Sequence, residues 1–255
     1  MTETSTAAAA SSQARIVEAG SAASERLFYL IAAGTMVVFT AGGFRNFYLH
    51  GRAPWGNMTS QIVPVIVAHG LAMSAWIILF FVQSLLVWMG NRRRHMAIGT
   101  AGAVLASVIV LLGTTVAPLS VRFRPEIYTP FGGPRFFLAL MLAEVLLFGA
   151  FVGIGLAYRR RAEIHRPMML LATIVILSGA LGRFPYVEAI AAHGPLYVWG
   201  PVLLFGALLF CLQSAMSRAN RWYLLGYAGI IISSFLSTAV GSSALWNQMV
   251  ARFVP

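Results

Sequence analysis

Charge is scarce in this chain, and it comes from few residue types. Only 10% of the 255 residues are charged and 59% are hydrophobic, whereas a soluble domain carries about 25% charged residues. All 18 basic residues are arginine and all seven acidic residues are glutamate, so lysine and aspartate are missing. The charges are too few to cover a water-facing surface, and the missing aspartate excludes Asp-based catalysis.

Several motifs that carry chemistry are also missing. The single cysteine, Cys211, excludes an internal disulfide and a thiolate metal cluster. The chain has no phosphate-binding glycine loop, no HExxH motif and no CxxC motif. The net charge of +11 comes without any recognition motif, so we expect no nucleic-acid partner. The arginines lie instead at the ends of apolar segments, which suits lipid headgroups.

Long apolar segments dominate the sequence. A helix needs roughly 20 apolar residues to cross a bilayer, and we count seven such segments: 26–43, 62–90, 97–118, 134–158, 167–184, 196–216 and 222–247. They predict an all-α integral membrane bundle of seven transmembrane helices, folded as a single domain over residues 25–255. Residues 1–24 are rich in Ala, Ser and Thr and predict a disordered tail.

Short basic loops predict the orientation of the bundle. NRRRH (91–95), YRRRAEIHR (158–166) and SRANR (217–221) are alternate connections, so they lie on one side of the membrane. The positive-inside rule assigns that side to the cytoplasm, with the amino terminus inside and the carboxyl terminus outside. We therefore expect a multi-pass protein of the cell inner membrane, in contact with the lipid bilayer and with other membrane subunits as an open alternative.

Glu144 is the strongest single indication of a functional site. It lies ten residues into the fourth segment, roughly 15 Å deep at 1.5 Å per residue. A carboxylate at that depth is costly and by default marks function. His69, Trp76 and Gln83 follow one another at seven-residue steps in the second segment, which predicts one inward-facing stripe. The alternative is structural: a hydrogen-bonded Glu144 between two helices, and a packed stripe.

Three further residues are candidate ligands. Arg183 ends the fifth segment, where it either reaches the headgroups, pairs with Glu144 or holds an anion. His95 and His165 each follow an arginine triplet at the start of a helix, although the interval differs between the two copies. If their helices are neighbours, the two histidines predict a metal or haem site; otherwise they are interfacial residues. His69 is the third candidate metal ligand.

Three stretches carry a resemblance: HGLAMSAWIILFFVQSLLV, NRRRHMAIG and HRPMMLLATIVILSGALGR. Together they resemble a group of uncharacterised bacterial inner-membrane proteins with a histidine–tryptophan–glutamine helix and a histidine-arginine-x-methionine helix start. The resemblance covers about residues 26–185 and implies a seven-helix bundle, without an activity. The histidine-arginine-x-methionine start is also similar to one in small membrane proteins associated with haem and oxidase biogenesis.

Three functions stay open at the level of sequence. The first is binding of a cofactor or small ligand (haem, quinone or metal) in the outer half of the bundle. Its ligand-binding residues would be His69, Trp76, Glu144 and Arg183, because imidazole binds metals and arginine pairs with anions. The second is a structural or assembly subunit of a larger membrane complex. The third is a carrier of protons or small solutes. No pattern decides whether the protein is an enzyme.

Overall fold

The computed structural model describes residues 2–51, 62–184, 195–217 and 219–254. All regular elements in these ranges are helical. In chain order they are α1 (Thr2–Gly43), α2 (Arg45–His50), α3 (Val63–Trp88), α4 (Arg92–Phe123), a 3₁₀ segment (Pro125–Phe131), α5 (Pro134–Ala157), α6 (Ala162–Val175), α7 (Ser178–Leu181), α8 (Pro195–Met216), α9 (Arg221–Ser242) and α10 (Ala244–Val250).

The helical content confirms the predicted all-α class and the number of membrane-crossing segments. In the described ranges, seven stretches are long and apolar enough to cross a membrane: Gly20–Gly43, Val63–Trp88, Arg92–Phe123, Pro134–Ala157, Ala162–Leu181, Pro195–Met216 and Arg221–Ser242. The side of the membrane that each terminus faces stays a prediction.

Helix α1 begins well before the first predicted segment. Its backbone is helical from Thr2, across the residues in which we expect a disordered tail. The alanine-rich composition favours a helix, since alanine has the highest helix propensity. The apolar part covers Gly20–Gly43. The division into a tail (1–24) and one domain (25–255) stays a prediction.

Helix α4 is longer than its apolar segment at both ends. Asn91 caps its start, because the Asn91 side chain accepts a hydrogen bond from the backbone N–H of Arg94. The arginine triplet therefore forms the first turn of the helix rather than a loop. At the other end the helix continues past Pro118 to Phe123.

The fifth membrane-crossing stretch, made of α6 and α7, lies at the centre of the bundle. Every side chain from Leu170 to Val175 is fully buried, which requires neighbours on all sides of the helix. Helices α5, α8 and α9 pack against α6. The outer surface carries exposed apolar side chains, such as Leu111, Leu146 and Phe235, as expected for a surface that faces lipid.

The remaining helices surround this centre in a fixed order. Helix α3 packs against α1 and α4, α4 packs against α5, and α5 packs against α6 and α9. Helices α4 and α6 both begin at the end of the bundle that carries the arginine triplets, and both pack along α5. The fold therefore brings the first turns of α4 and α6 to the same end of α5.

Candidate ligand-binding site

A cavity of about 920 Å³ opens at the end of the bundle that carries the two arginine triplets. Its walls come from α1, α3, α4, α5 and α6. Along α3 it reaches from Val87 to Trp76, roughly 16 Å at 1.5 Å per residue. Its size lies within the usual range for small-molecule and cofactor sites, about 300–1,000 Å³.

Positive charge surrounds the opening. Five arginines line the cavity: Arg26, Arg92, Arg159, Arg160 and Arg166. Arg166 is held by an ion pair of 2.7 Å with Glu25 of α1. The part of the chain that the structure describes gives the other four no acidic partner within ion-pair distance. The opening therefore suits an anionic group, which guanidinium binds with two parallel hydrogen bonds.

The inner walls are mostly apolar. Trp76, Phe80, Val152, Leu156 and Met169 face the cavity together with small residues of α4. Among those small residues are Gly99, Gly102 and Ala103, which follow the bulkier Met96 along the α4 wall. An apolar interior behind a basic opening suits a flat, largely apolar molecule that carries acidic groups at one edge.

His95 and His165 lie next to each other in this cavity. Their ring centres are 6.3 Å apart and their planes are inclined by 83°. Each is the fourth residue of its helix, in α4 and α6 respectively. Their backbone N–H groups donate equivalent hydrogen bonds, from His95 to the Asn91 carbonyl at 3.1 Å and from His165 to the Arg161 carbonyl at 2.9 Å. The two imidazoles thus occupy the same position in two helices that start at the same end of the bundle.

The hydrogen bond of His165 fixes which ring nitrogen is free. Its Nδ1 lies 2.7 Å from the backbone carbonyl oxygen of Gly155. A carbonyl only accepts, so Nδ1 carries the hydrogen and donates it. In the neutral ring Nε2 then has its lone pair available. This arrangement is the usual one for a histidine that binds a metal through Nε2.

Two neighbouring groups in the same cavity have unmet hydrogen-bonding capacity. Nδ1 of His95 is buried and has no hydrogen-bond partner. Both side-chain atoms of Gln83, Oε1 and Nε2, are buried and unpartnered as well. Buried polar atoms of this kind are rare and require an explanation. A ligand or a rearrangement within the cavity would satisfy them.

Trp76, a predicted ligand-binding residue, lines the deep part of the cavity and joins three helices. It is 2% exposed. Its indole N–H donates to the Thr173 hydroxyl of α6 at 3.2 Å, and its ring packs edge-on against Phe148 of α5 at 5.0 Å. Through Trp76, α3 therefore contacts both α5 and α6 at this level.

The other predicted residues lie elsewhere in the bundle. His69 is on α3, fourteen residues from Gln83, which is roughly 21 Å along the helix. Its Nδ1 is buried without a partner, and its ring lies beside Gly113 of α4. Glu144 has a buried, unpartnered Oε1, and its carboxyl lies near the Ser178 side chain. Within the described residues no hydrogen bond joins His69 to Glu144.

Arg183 does not pair with Glu144 in the part of the chain that is described. Its guanidinium lies over the Phe44 ring, 4.1 Å from the ring centre, and donates to the Gly179 carbonyl. Local contacts therefore hold this arginine at the end of α7. Of the residues that we expect to form an outer site, Trp76 lines the cavity, whereas His69, Glu144 and Arg183 do not.

The same geometry limits the metal sites that are available. No three His, Cys, Asp or Glu side chains come together among the described residues. His95 and His165 form a pair, and His69 is remote from it. Two imidazoles leave a zinc ion short of its four ligands, so the pair suits a metal that brings other ligands with it.

The sequence predicts a site in the outer half of the bundle, whereas the cavity lies at the end that carries the arginine triplets. Two signals pointed there: the repeated arginine triplet followed by histidine, and the stripe that continues from Trp76 to Gln83. Comparison of the chain with protein-family models, with curated proteins and with solved structures finds no match.

Proposed function

We propose that this protein is a membrane haem protein that binds one haem in the basic cavity, with the iron between His95 and His165, and that it transfers electrons. The observation that carries the proposal is the adjacent pair of imidazoles in a cavity of cofactor size. The cofactor class is one of those that the sequence favours. The site is at the basic end of the bundle instead of the outer half.

The spacing of the two rings supports a shared iron atom. A metal–imidazole bond is about 2 Å long, and the ring centre lies about 1 Å behind the bonding nitrogen. Two rings on opposite sides of one metal therefore have centres roughly 6 Å apart. His95 and His165 have a separation of 6.3 Å. The Gly155 carbonyl already directs His165 to offer Nε2.

The number of protein ligands favours haem over a free metal ion. A porphyrin supplies four nitrogen ligands of its own, so two axial histidines complete the coordination of its iron. The walls agree with this choice, because apolar side chains and the small α4 residues Gly99 and Gly102 border the cavity. Arg92, Arg159 and Arg160 at the opening would bind the two propionates.

The coordination also indicates the type of chemistry. An iron with histidine on both faces has no open position for oxygen or a substrate, so one-electron transfer is the reaction that remains. The positive-inside rule puts the arginine triplets, and the haem with them, at the cytoplasmic side of a bacterial inner membrane. On this proposal electrons enter or leave on that side.

The test is the absorption spectrum of the purified protein. Produced with a supply of haem precursor and purified in mild detergent, the protein should show a Soret band and about one haem per chain by the pyridine haemochrome assay. His95→Ala and His165→Ala should each lose the six-coordinate spectrum. His69→Ala is the control, because it removes a buried histidine remote from the cavity and should keep the haem.

Two results would contradict the proposal. A wild-type protein that stays colourless after incubation with haem would overturn it. Loss of the spectrum in His69→Ala, with retention in both cavity variants, would instead move the cofactor to the outer half of the bundle.

A further inference from the structure

The two histidines of the cavity differ in the hydrogen-bond partner of Nδ1, the nitrogen that does not bind the proposed metal. Nδ1 of His165 donates to the Gly155 backbone carbonyl at 2.7 Å. Nδ1 of His95 is buried and has no partner. Histidines that bind metals almost always donate this second N–H to a carbonyl, a carboxylate or water. Nδ1 of His95 therefore lacks an acceptor at hydrogen-bond distance, although the backbone carbonyl of Gln83 lies near the ring.

Gln83 is the side chain able to supply that acceptor. It lines the same cavity, and the ring of His95 lies against its backbone. Its Nε2 sits over Gly99, 3.9 Å from the point that a Cβ there would occupy. Gly99 is one helical turn beyond His95 on α4. The amide is thus within one turn of the imidazole, with no side chain on Gly99 to block its movement.

The Gln83 amide is itself without a partner, which makes the match reciprocal. Both of its side-chain polar atoms are buried and have no hydrogen-bond partner, which destabilises the amide where it lies. Its three side-chain torsions allow the amide to turn without a change in the backbone. One rotation would satisfy the amide oxygen and His95 Nδ1 together.

We propose that Gln83 is a positioning residue for the haem, whose Oε1 accepts the Nδ1–H of His95 while Nε2 of His95 binds the iron. This inference rests on the proposed haem site. It assigns the two ligands different supports, a backbone carbonyl for His165 and a side chain for His95. A side-chain acceptor makes the basicity of His95, and hence the potential of the iron, dependent on one replaceable residue.

Three variants test this assignment. Gln83→Leu removes the acceptor, Gln83→Glu replaces it with a charged one, and Gln213→Leu is the control. Gln213 is also buried, at 1% exposure, and also has an unpartnered Oε1, but it is not part of the cavity wall. The measurements are the midpoint potential, the low-spin ferric electron paramagnetic resonance spectrum and the rate of haem loss to apomyoglobin.

The expected results separate positioning from a merely structural role. Gln83→Leu should raise the midpoint potential, shift the ferric g values and speed haem loss by about 10–100-fold. Gln83→Glu should lower the potential and slow haem loss relative to Gln83→Leu, because a carboxylate is a stronger acceptor. Gln213→Leu should match the wild type in all three measurements.

The inference and the proposed function fail in different ways. If the wild type binds haem and all three variants share its potential and g values, Gln83 is not the partner of His95, while the haem site stands. If Gln83→Leu only reduces the yield of folded protein, with an unchanged spectrum in the haem-bound fraction, the residue is structural and the inference is wrong. A wild type without haem overturns both.

Discussion

Gly155→Ala should weaken haem binding through His165 without touching the ligand itself. Gly155 lies on α5, accepts the hydrogen bond from His165 through its carbonyl, and has no side chain against α6. An added Cβ would sit 2.8 Å from Sδ of Met169, closer than two such atoms approach. Met169 must move, and because it lies one turn beyond His165 on α6, the new contact strains the position of the imidazole.

A matched glycine separates this effect from general crowding. In Gly113→Ala the new Cβ would meet Cγ2 of Val145 at the same distance, 2.8 Å, but outside the cavity. Overpacking costs about 1–3 kcal/mol, and replacing glycine by alanine within a helix returns about 1 kcal/mol. Both variants should therefore lose about 0–2 kcal/mol of stability.

Only Gly155→Ala should also lose affinity for haem. Displacement of a partner that orients a metal-binding histidine typically costs 10–100-fold in affinity. The assay is a haem titration of the apoprotein in detergent, paired with unfolding in SDS followed by circular dichroism. Equal affinities for Gly155→Ala and Gly113→Ala would refute the reasoning, because crowding alone would then explain both variants.

Three further predictions test the rest of the bundle. Thr173→Val should destabilise by about 1–3 kcal/mol in the same SDS titration, because it leaves the buried N–H of Trp76 without an acceptor; Thr173→Ser, which keeps the hydroxyl, should cost less. Glu144→Gln should change stability by less than about 1 kcal/mol and leave the haem content unchanged, since the amide keeps an oxygen for hydrogen bonding; loss of haem would restore the outer-half site. In a Cys211→Ser background, Arg160→Cys should react with an impermeant maleimide only from the cytoplasmic side; labelling of intact cells would reverse the orientation.

The number of membrane-crossing helices could be predicted because it depends on composition alone. Seven apolar segments each exceed or approach the thickness of a bilayer, and seven helices of that kind are found. The ends of the helices were harder to predict. Hydropathy excludes the arginine triplet from α4, whereas the Asn91 cap brings it into the first turn. A local hydrogen bond sets that helix boundary, and a hydropathy average over many residues does not detect it.

The position of the cavity could not be predicted, because it depends on which helices are neighbours. The depth of a residue in the membrane can be estimated from its position in an apolar segment, and this depth made Glu144 and His69 candidates. Adjacency is not readable in the same way. Glu144 lies near Ser178 of α7, and Arg183 donates a hydrogen bond to the Gly179 carbonyl one turn away. Trp76 was assigned correctly to the interior, where it lines the deep part of the cavity.

The repeated arginine–histidine pattern explains the site once the helix starts are known. In the second copy the arginine triplet and the histidine are three residues further apart than in the first. The sequence alone therefore argues against equivalent positions for the two histidines. The helices remove that difference. In α4 the triplet belongs to the helix, whereas in α6 it precedes Ala162, so each histidine is the fourth residue of its own helix.

Equal positions in two helices that pack along α5 bring both imidazoles to one depth, which a shared iron atom requires. The same two triplets surround the opening with guanidinium groups. On the proposed function, one repeated pattern would supply both histidine ligands and the charges for an acidic cofactor, although its two copies fold differently.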